Sequence, residues 1–482
     1  MSRGIVAAGV HLPRFRIKTS TVADAWGVDH APGIDRKAVP AADEDSVTMA
    51  VAAGRDAIER AAIEPSALTF LGFATTNPPL SESELGPRLV RALGTQTDVQ
   101  TVTATTSPLT GLDVLRRAIA ADGPALAVAA DTPTGDPPDA DHPLGAAGVA
   151  FVVDDDSVVT LDATASYADE YPGVRYRRPN SGAIQSIGVR TYEREAVGKC
   201  VTSVLTELGA DDPMGAVLHQ PNGRLPYRIA KRAELSTQAI ARGIVVDRVG
   251  DAGAATVPLG LVKALTEANS EDSTVAVDFG GGAAALGLMF NGTLAAAPSI
   301  ESHLTAGDDV SYSRYLRERG YVAGGSVAGG GAHVSLPSWR RSLDGRYRMI
   351  AGRCPACENM TFPAEGACGR CQARVSYERV PLSTTGTVTA VTVIGQGGAP
   401  PEFVPQQERD GPYAVAIVQF PVDGSDRDAT ESVVDSDTVT VPMQLTDCEP
   451  DTVSIGDKVR TAVRRVYEDE GIPRYGTKAI PL

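Results

Sequence analysis

The sequence predicts an α/β protein followed by a small β-rich domain with a metal site. Strand and helix periodicities alternate through residues 1–322, which indicates two halves built from parallel or mixed sheets covered by helices. A run of glycine and alanine between Val322 and His333 has too few side chains to bury much surface, so it marks an interdomain linker. Four of the six cysteines then cluster near the C-terminus.

The elements follow in order from the apolar patterns. Strands are predicted at Gly4–Val10, Leu68–Ala74, Val99–Thr103, Ala125–Ala130, Ala147–Val153, Gly215–Leu218, Thr274–Asp278 and Ala284–Phe290. Helices are predicted at Ser46–Ala62, Gly86–Leu93, Leu112–Ala121, Glu195–Leu208, Arg228–Arg232 and Val257–Glu267. Further short strands favour a small β-barrel, at Gly386–Ile394, Tyr413–Phe420, Val439–Gln444 and Lys458–Tyr467. The chain divides into an α/β domain at 1–322, a linker at 323–338, a zinc ribbon with a leading helix at 339–380 and a barrel domain at 381–482.

The charge balance excludes some classes of partner. The 482 residues contain 44 Lys and Arg against 60 Asp and Glu, a formal charge of −16, which opposes non-specific binding to nucleic acid and anionic membranes. No apolar run approaches the roughly 18 residues that a bilayer span needs, and nothing at Met1 resembles a secretory signal. We expect a soluble cytoplasmic protein that binds neither nucleic acid nor membrane.

The cysteine cluster is typical of a structural zinc site. Cys354 and Cys357 form one CxxC pair, and after ten intervening residues Cys368 and Cys371 form another. Two such pairs can place four thiolates around Zn²⁺ in tetrahedral geometry with no open position, so the metal is expected to be structural. Disulfides are the alternative, but the scarcity of cysteine elsewhere argues for a reducing compartment.

One motif of the first domain points to chemistry. His219 is predicted at the end of a buried strand, before a turn formed by Pro221, Asn222 and Gly223. In that position a neutral imidazole can line a cleft, polarise a carbonyl group or transfer a proton. The alternative is a histidine that merely forms a hydrogen bond in a loop.

This motif is part of a longer resemblance. Over essentially residues 2–322 the chain resembles the 3-hydroxy-3-methylglutaryl-CoA (HMG-CoA) synthase family, especially its archaeal branch within the thiolase-like superfamily. The matching motifs are, in order, Gly9-Val-His-Leu-Pro-Arg-Phe-Arg-Ile17, Asp43-Glu-Asp-Ser-Val-Thr48, His219-Gln-Pro-Asn-Gly223, Gly250-Asp-Ala-Gly-Ala-Ala-Thr256, Asp278-Phe-Gly-Gly-Gly282 and Ser311-Tyr-Ser-Arg-Tyr-Leu316. The resemblance implies a five-layered α-β-α-β-α fold of two duplicated halves, a homodimer, and acyl-CoA as the ligand.

The resemblance also implies a catalytic set. Family members condense acetyl-CoA with acetoacetyl-CoA through a cysteine nucleophile, a glutamate base and a histidine that binds the acceptor carbonyl. His219 falls on the family histidine. Ser107 and Pro108 lie where the cysteine belongs, Thr76 or a neighbour lies where the glutamate belongs, and Asp251 replaces the amide of a Gly-Asn turn. Two of the three catalytic groups are therefore expected to be missing.

No other residue clearly replaces them. Ser107 is a weak nucleophile unless a base activates it. Cys200 has the helical phase of a packed apolar side chain, and Cys448 lacks an adjacent cation that would favour a thiolate. Glu82 and Glu84 are candidate bases, but their polar run more simply starts a helix.

The C-terminal region resembles the domain-of-unknown-function 35 family, in which a rubredoxin-like zinc ribbon precedes an OB-fold barrel. The matching segments are Cys354-Pro-Ala-Cys357, Phe362-Pro363, Cys368-Gly-Arg-Cys371, Gly386-Thr-Val388, Tyr413-Ala-Val-Ala-Ile-Val418 and Ile455-Gly-Asp-Lys-Val459. This resemblance implies association with thiolases and HMG-CoA synthases and help in holding CoA. An OB fold can also bind nucleic acid through aromatic side chains on a basic groove, but aromatics are only 5% of this acidic chain.

These features together predict a pseudoenzyme. We expect an acyl-CoA-binding, HMG-CoA-synthase-like protein that acts as a scaffold, channelling component or regulatory partner of a thiolase or condensing enzyme in lipid or isoprenoid metabolism. The alternative is an active acyltransferase or condensing enzyme in which Ser107 or a cysteine of a partner protein is the nucleophile.

Overall fold

The structure, a computed structural model, describes residues 3–179, 181–322, 336–395, 399–400, 403–423, 437–469 and 471–482. Contacts between residues divide the chain into two units, Met1–Tyr321 and Val322–Leu482. Residues 323–335 of the predicted linker lie outside the described residues. Each unit is described by itself below.

The first unit alternates strands with helices. Its strands are β1 (Gly4–His11), β2 (Phe15–Lys18), β3 (Arg36–Val39), β4 (Phe70–Ala74), β5 (Gln100–Ala104), β6 (Ala125–Asp131), β7 (Thr134–Gly135), β8 (Ala147–Asp154), β9 (Val159–Tyr171), β10 (Ala183–Ile184), β11 (Gly215–Leu218), β12 (Ser273–Gly280), β13 (Gly282–Gly292) and β14 (Asp308–Asp309). Its helices are α1 (Thr19–Trp26), α2 (Ser46–Ala61), α3 (Gly86–Leu93), α4 (Thr110–Ala120), α5 (Arg190–Leu208), α6 (Leu225–Arg232), α7 (Thr237–Gly243), α8 (Val246–Val249), α9 (Thr256–Glu267), α10 (Ile300–Thr305) and α11 (Tyr312–Glu318).

The main sheet of this unit consists of two halves. Within the described residues it has nine strands in the order β11-β12-β13-β9-β1-β8-β6-β4-β5. Strand β1 pairs with β8 along most of its length but with β9 only through Gly4 and Ile5. The pairs β4–β5, β4–β6 and β11–β12 are parallel, and the remaining neighbours are antiparallel. The short β1–β9 contact is therefore the junction between the halves.

Helices form three layers around the two halves. Helix α2 packs on β1, β6 and β8, whereas α5 packs on β9, β12 and β13. Helices α4 and α9 contact each other and also contact both halves, so they lie between them. Leu112 and Leu115 of α4 and Leu259 and Leu261 of α9 are fully buried there, and each such side chain contributes about 1.5–3 kcal/mol of hydrophobic stabilisation. The result is the predicted order of five layers.

Parallel strand ends bring the polar residues of the site together. Strands β4 and β6 are parallel neighbours, so the loop after β4 meets Asp131, the last residue of β6. Strands β11 and β12 are also parallel neighbours, and Leu218 pairs with Val277. His219 and Asp278, the next residues along each strand, are therefore adjacent. The carboxyl ends of parallel strands are the usual position of functional residues in α/β proteins.

The second unit is a small barrel with a cysteine-bearing sheet. Its helices are α12 (Leu336–Arg341), α13 (Leu343–Arg348) and α14 (Val404–Asp410), and its strands are β15 (Ile350–Arg353), β16 (Met360–Thr361), β17 (Glu378–Pro381), β18 (Thr385–Ile394), β19 (Tyr413–Pro421), β20 (Thr438–Gln444), β21 (Lys458–Asp469) and β22 (Ile472–Pro481). The barrel strands are ordered β20-β19-β18-β21-β22, and a bridge between Leu445 and Ala479 nearly closes them. The sheet β16-β15-β17 is next to the cysteine loops.

Some predicted boundaries were wrong. The run containing Glu82 and Glu84 does not start a helix, because α3 begins at Gly86 with a proline in its first turn. Helix α6 begins at Leu225, earlier than predicted, and again has a proline in its first turn. The leading helix is two short helices, the first of which begins at Leu336 within the predicted linker. No helix among the described residues is long and apolar enough to span a membrane.

Candidate functional site

His219 lies at the carboxyl end of β11, where its side chain is 7% exposed. Its Nδ1 atom is 2.7 Å from Oδ1 of Asp278, which is 1% exposed and also accepts a hydrogen bond from the backbone N–H of Phe279 at 2.8 Å. Asp278 engages Nδ1, and Nε2 of the ring forms no hydrogen bond with any described residue. The pair thus orients the imidazole and leaves Nε2 to interact with a ligand.

Thr76 lies just after β4, and its loop is tied to Asp131. The backbone N–H of Thr76 donates to Oδ2 of Asp131 at 2.8 Å, and the backbone N–H of Ala254 donates to the same oxygen at 3.0 Å. Thr75 Oγ1 and the backbone N–H of Thr132 donate to the other oxygen at 3.2 and 3.0 Å. The Asp131 carboxylate therefore links three loops, and with four donors it has little capacity to act as a general base.

The Thr76 hydroxyl is buried and has no hydrogen-bond partner among the described residues. Its backbone carbonyl accepts a hydrogen bond from the guanidinium of Arg177, whose Nε also donates to the carbonyl of Gly182 at 2.9 Å. A hydroxyl cannot remove the weakly acidic α-proton of a thioester as a carboxylate can. The position predicted for the general base therefore holds a residue that cannot serve as one.

Asp251 forms a buried ion pair. Its Oδ2 is 2.7 Å from Nη1 of Arg175, and its Oδ1 accepts the backbone N–H of Gly253 at 2.9 Å. Burial alone would raise the pKa of Asp251, but the charge and hydrogen bond of Arg175 outweigh burial and hold that pKa below its ordinary value. The carboxylate stays ionised, so it is a poor base and a fixed charge in the turn.

The same turn contains a glycine that no larger residue can replace. Gly253 has φ of +53°, and a Cβ atom there would lie 2.2 Å from Oδ2 of Asp131. Only glycine fits so close an approach in the left-handed region. The turn of Asp251 and the loops held by Asp131 are therefore in direct contact.

Ser107 lies in the turn before α4 and is half-buried. Its carbonyl accepts hydrogen bonds from the backbone N–H and the hydroxyl of Thr110, at 3.1 and 2.6 Å. Its own Oγ hydrogen-bonds to no described residue, and it packs against the end of β12, where a Cβ atom on Gly280 would be 2.6 Å away. No base contacts this hydroxyl, so nothing in the described chain activates it as a nucleophile.

The remaining candidate groups take no part in the site. Cys200 is fully buried in the core beneath α5, and burial raises the pKa of its thiol, as expected for a packed side chain. Cys448 packs against the core of the second unit. Glu82 and Glu84 are exposed in the turn before α3. Within the described first unit, Cys200, Glu82 and Glu84 form no hydrogen bond or ion pair with His219.

The four clustered cysteines converge in the second unit. All four Sγ atoms lie within 4.8 Å of one another; Sγ of Cys354 is 3.8 Å from that of Cys371, and Sγ of Cys357 is 3.6 Å from that of Cys368. Four sulfurs at 2.3 Å from a tetrahedral Zn²⁺ are about 3.8 Å apart. The donor set and its spacing fit zinc, and no disulfide joins any two of these four cysteines.

Sequence reasoning missed the roles of Asp278 and Arg175. Asp131 and Asp278 each follow an apolar strand, and an unpaired carboxylate is costly to bury. Because burial of an unpaired carboxylate is unfavourable, the sequence could have indicated that Asp131 and Asp278 each have a hydrogen-bond partner. Arg175 lies in an irregular segment with no periodic pattern, and nothing in the sequence pairs it with a residue 76 positions away.

Comparisons with known proteins agree with this architecture. The hydroxymethylglutaryl-CoA synthase of Caldivirga maquilingensis is 31% identical over 342 residues, which is 66% of this chain and 98% of the relative. The enzyme of the same name from Pyrobaculum neutrophilum is 30% identical over 66% of this chain and 97% of its own. A crystal structure of HMG-CoA synthase complexed with CoA has a TM-score of 0.60 at 16% identity, covering 70% of this chain and 95% of that one.

A family model described as the C-terminal OB-fold domain of ChsH2 matches residues 379–464. Fold and site together define a thiolase-like α/β protein with a C-terminal OB-fold domain and a cysteine cluster of the zinc-ribbon type. The chain belongs to the hydroxymethylglutaryl-CoA synthase family. The predicted family and fold class are confirmed.

Proposed function

We propose that this protein binds an acyl-CoA thioester in the His219 cleft but does not condense it, and that it serves as a scaffold, channelling or regulatory partner of a thiolase or condensing enzyme. One observation carries the proposal. Where the family mechanism needs a thiolate and a free carboxylate, this chain has the unactivated hydroxyl of Ser107 and the hydroxyl of Thr76, while Asp131 and Asp251 are already engaged.

Binding without condensation is chemically consistent with the retained histidine. Nε2 of His219 is available to a thioester carbonyl, because Asp278 engages only Nδ1. A related solved structure holds CoA, which supports CoA as the ligand here. Carbon–carbon bond formation would need two further groups, a nucleophile to carry the acyl chain and a base to remove a proton from it.

Acylation of the intact protein tests the proposal. The wild-type chain is incubated with isotopically labelled acetyl-CoA and analysed by intact-protein mass spectrometry, and no acetyl adduct is expected. The variant S107C places a thiol at the position where the family resemblance predicts the nucleophile, and it should gain one acetyl group because a thiol is a stronger nucleophile than the Ser107 hydroxyl. If S107C stays unmodified, the cleft does not admit acetyl-CoA, and the binding proposal is wrong.

The oriented His219–Asp278 pair favours a second candidate, an active acyltransferase in which Ser107 or a cysteine supplied by a partner is the nucleophile. A stoichiometric adduct on the wild-type chain that disappears in S107A would establish this activity for Ser107. HMG-CoA formation only after a thiolase is added, and only when that thiolase keeps its own cysteine, would establish the partner's role.

We also propose that Cys354, Cys357, Cys368 and Cys371 hold one structural Zn²⁺. The sulfur spacing and the absence of any fifth donor from the described cluster support a closed site. Elemental analysis of the purified chain should give one zinc per polypeptide. C357S should lose most of it, whereas C448S, which alters a cysteine outside the cluster, should keep it.

The protein partners are part of the same proposal. We infer a homodimer through the first unit, a thiolase partner and a cytoplasmic location, supported by the family to which the chain belongs and by the scarcity of cysteine outside the cluster. Native mass spectrometry of the complex purified from its own cells should show two copies of this chain and a thiolase. A monomer free of other proteins would contradict these assignments.

A further inference from the structure

The second unit contains a cavity that the proposed function does not use. Its volume is about 700 Å³, within the range of roughly 300–1,000 Å³ that is usual for small-molecule sites. Met349, Phe362, Phe403, Val415 and Met443 form much of its apolar wall. All its described lining residues come from the barrel, the two preceding helices and the cysteine-bearing segment, so it is separate from the His219 cleft.

Gln444 interrupts the apolar wall. It pairs with Val415 of β19, which in turn pairs with Thr392 of β18, so these three lining residues are side by side on adjacent strands. Both the amide oxygen and the amide nitrogen of Gln444 are buried, yet neither has a hydrogen-bond partner among the described residues. Leaving a buried amide unpaired is energetically unfavourable, so a molecule in the cavity that pairs with it is favoured.

Arg346 gives the cavity a positive charge. Its Nε donates to Ser342 Oγ at 2.7 Å, its guanidinium lies 4.3 Å from the ring centroid of Trp339, and it makes no ion pair with any described carboxylate. Burial lowers the pKa of Arg346, and nearby Tyr467 and Glu365 oppose this shift. Lys478, which is 1% exposed, also lines the cavity.

We propose that this cavity binds an amphiphilic carboxylate, an aliphatic acid of medium chain length whose carboxylate meets Arg346 and the Gln444 amide while its chain lies on the apolar wall. A planar carboxylate matches the fork of a guanidinium and accepts a hydrogen bond from an amide. A phosphate dianion is a poorer fit, because most of the wall is apolar and would strip the second charge of water without pairing it. The inference is independent of the acyl-CoA proposal, since it concerns another unit.

Decanoate is the probe, and the full-length, zinc-loaded protein is the reagent. The chain has two tryptophans, so W26F leaves Trp339, which stacks on Arg346, as the reporter of binding. Decanoate should change Trp339 fluorescence saturably. Decan-1-ol, with the same chain but no charge, should bind about tenfold more weakly or worse, because it lacks the charge-assisted hydrogen bonds.

Three variants, measured by calorimetry, locate the site. R346Q should weaken decanoate about tenfold, the loss of one charge-assisted contact, while leaving decan-1-ol nearly unchanged. V415F narrows the cavity and should weaken both probes. I417F, an exposed position of the same strand that does not line the cavity, should change neither. Zinc content verifies that each variant is folded.

Several results would overturn the proposal. Absence of saturable decanoate binding by the wild-type protein rejects the site, and this result needs no variant. Equal affinity for decanoate and decan-1-ol rejects the carboxylate. Binding that V415F leaves intact, or that I417F removes, places the ligand elsewhere.

Discussion

Two buried acids in the first unit form contacts of the same length but of different kinds. Asp278 is 2.7 Å from His219, and Asp251 is 2.7 Å from Arg175. An oriented imidazole can polarise a carbonyl group or transfer a proton to a ligand, whereas a guanidinium stays charged. The first pair is therefore suited to chemistry on a ligand, and the second is a permanent ion pair. The site therefore combines an oriented imidazole with a fixed ion pair.

The ion pair explains how the turn accommodates an acid where related proteins are expected to have an amide. A lone carboxylate buried at 3% exposure would be strongly disfavoured. Arg175 supplies the opposite charge, and Gly253 supplies a backbone N–H. A buried acid at position 251 is thus tolerated because Arg175 compensates its charge, and the stabilising effect of Asp251 should depend on Arg175.

Removing Arg175 should give the largest effect. R175L leaves the Asp251 carboxylate buried without its partner, and we expect the first unit to lose about 3–5 kcal/mol of unfolding free energy. Urea unfolding in a W339F background measures this, because Trp26 is then the single tryptophan and belongs to the first unit.

The matched control is the double variant R175L/D251N. It removes both charges, and the asparagine amide can still accept the N–H of Gly253, so stability should return to within about 1 kcal/mol of wild type. If the double variant is as unstable as R175L, Arg175 stabilises the fold by packing, and the ion pair does not explain the acid.

The sequence predicted some parts of this site and not others, for physical reasons. Cysteine spacing alone predicted that four sulfur atoms come together, because all four cysteines lie in one short segment. His219 was placed correctly at a strand end by a short apolar run and a Pro-Asn-Gly turn. Its bond to Asp278 depends on the pairing of Leu218 with Val277, a register that no local pattern encodes.

The sequence did not predict a largely polar strand, or a cavity whose lining residues are far apart along the chain. Strand β9 was not predicted, because much of Val159–Tyr171 faces solvent and acids such as Asp162 and Asp169 interrupt its apolar positions. The cavity of the second unit could not be anticipated either, since its lining is spread from Ser338 to Lys478 and exists only after the barrel closes.

Disrupting the His219–Asp278 pair should destabilise the fold less than removing Arg175 does, and it should specifically slow acetylation. D278N replaces a charge-assisted hydrogen bond by a neutral one, which should cost about 1–2 kcal/mol. In the S107C background it should also slow acetylation by acetyl-CoA about 100-fold, because the imidazole loses the group that fixes its tautomer and supports its proton transfer.

A matched variant of the Asp251–Arg175 pair distinguishes an effect on the acetylation rate from an effect on stability. S107C/R175L/D251N should be acetylated at nearly the rate of S107C, since it removes one positive and one negative charge together and their opposite effects on the His219–Asp278 pair largely cancel. Equal slowing in both backgrounds would mean that D278N acts by loosening the cleft and not through the imidazole.

Lowering the pH should have the smallest effect on stability, and it tests the Asp251–Arg175 ion pair. The pKa of Asp251 is lowered in the folded chain, so its contribution is fully present above the unfolded value of about 3.9 and is lost as pH falls towards the folded value. The stability difference between wild type and R175L/D251N, read from Trp26 by urea unfolding, should therefore be constant from about pH 7 to 5 and move against wild type between about pH 4 and 3. A difference that stays constant to pH 3 would mean that Asp251 titrates alike in both states, and the ion pair would then add nothing to the fold that a neutral pair of residues does not.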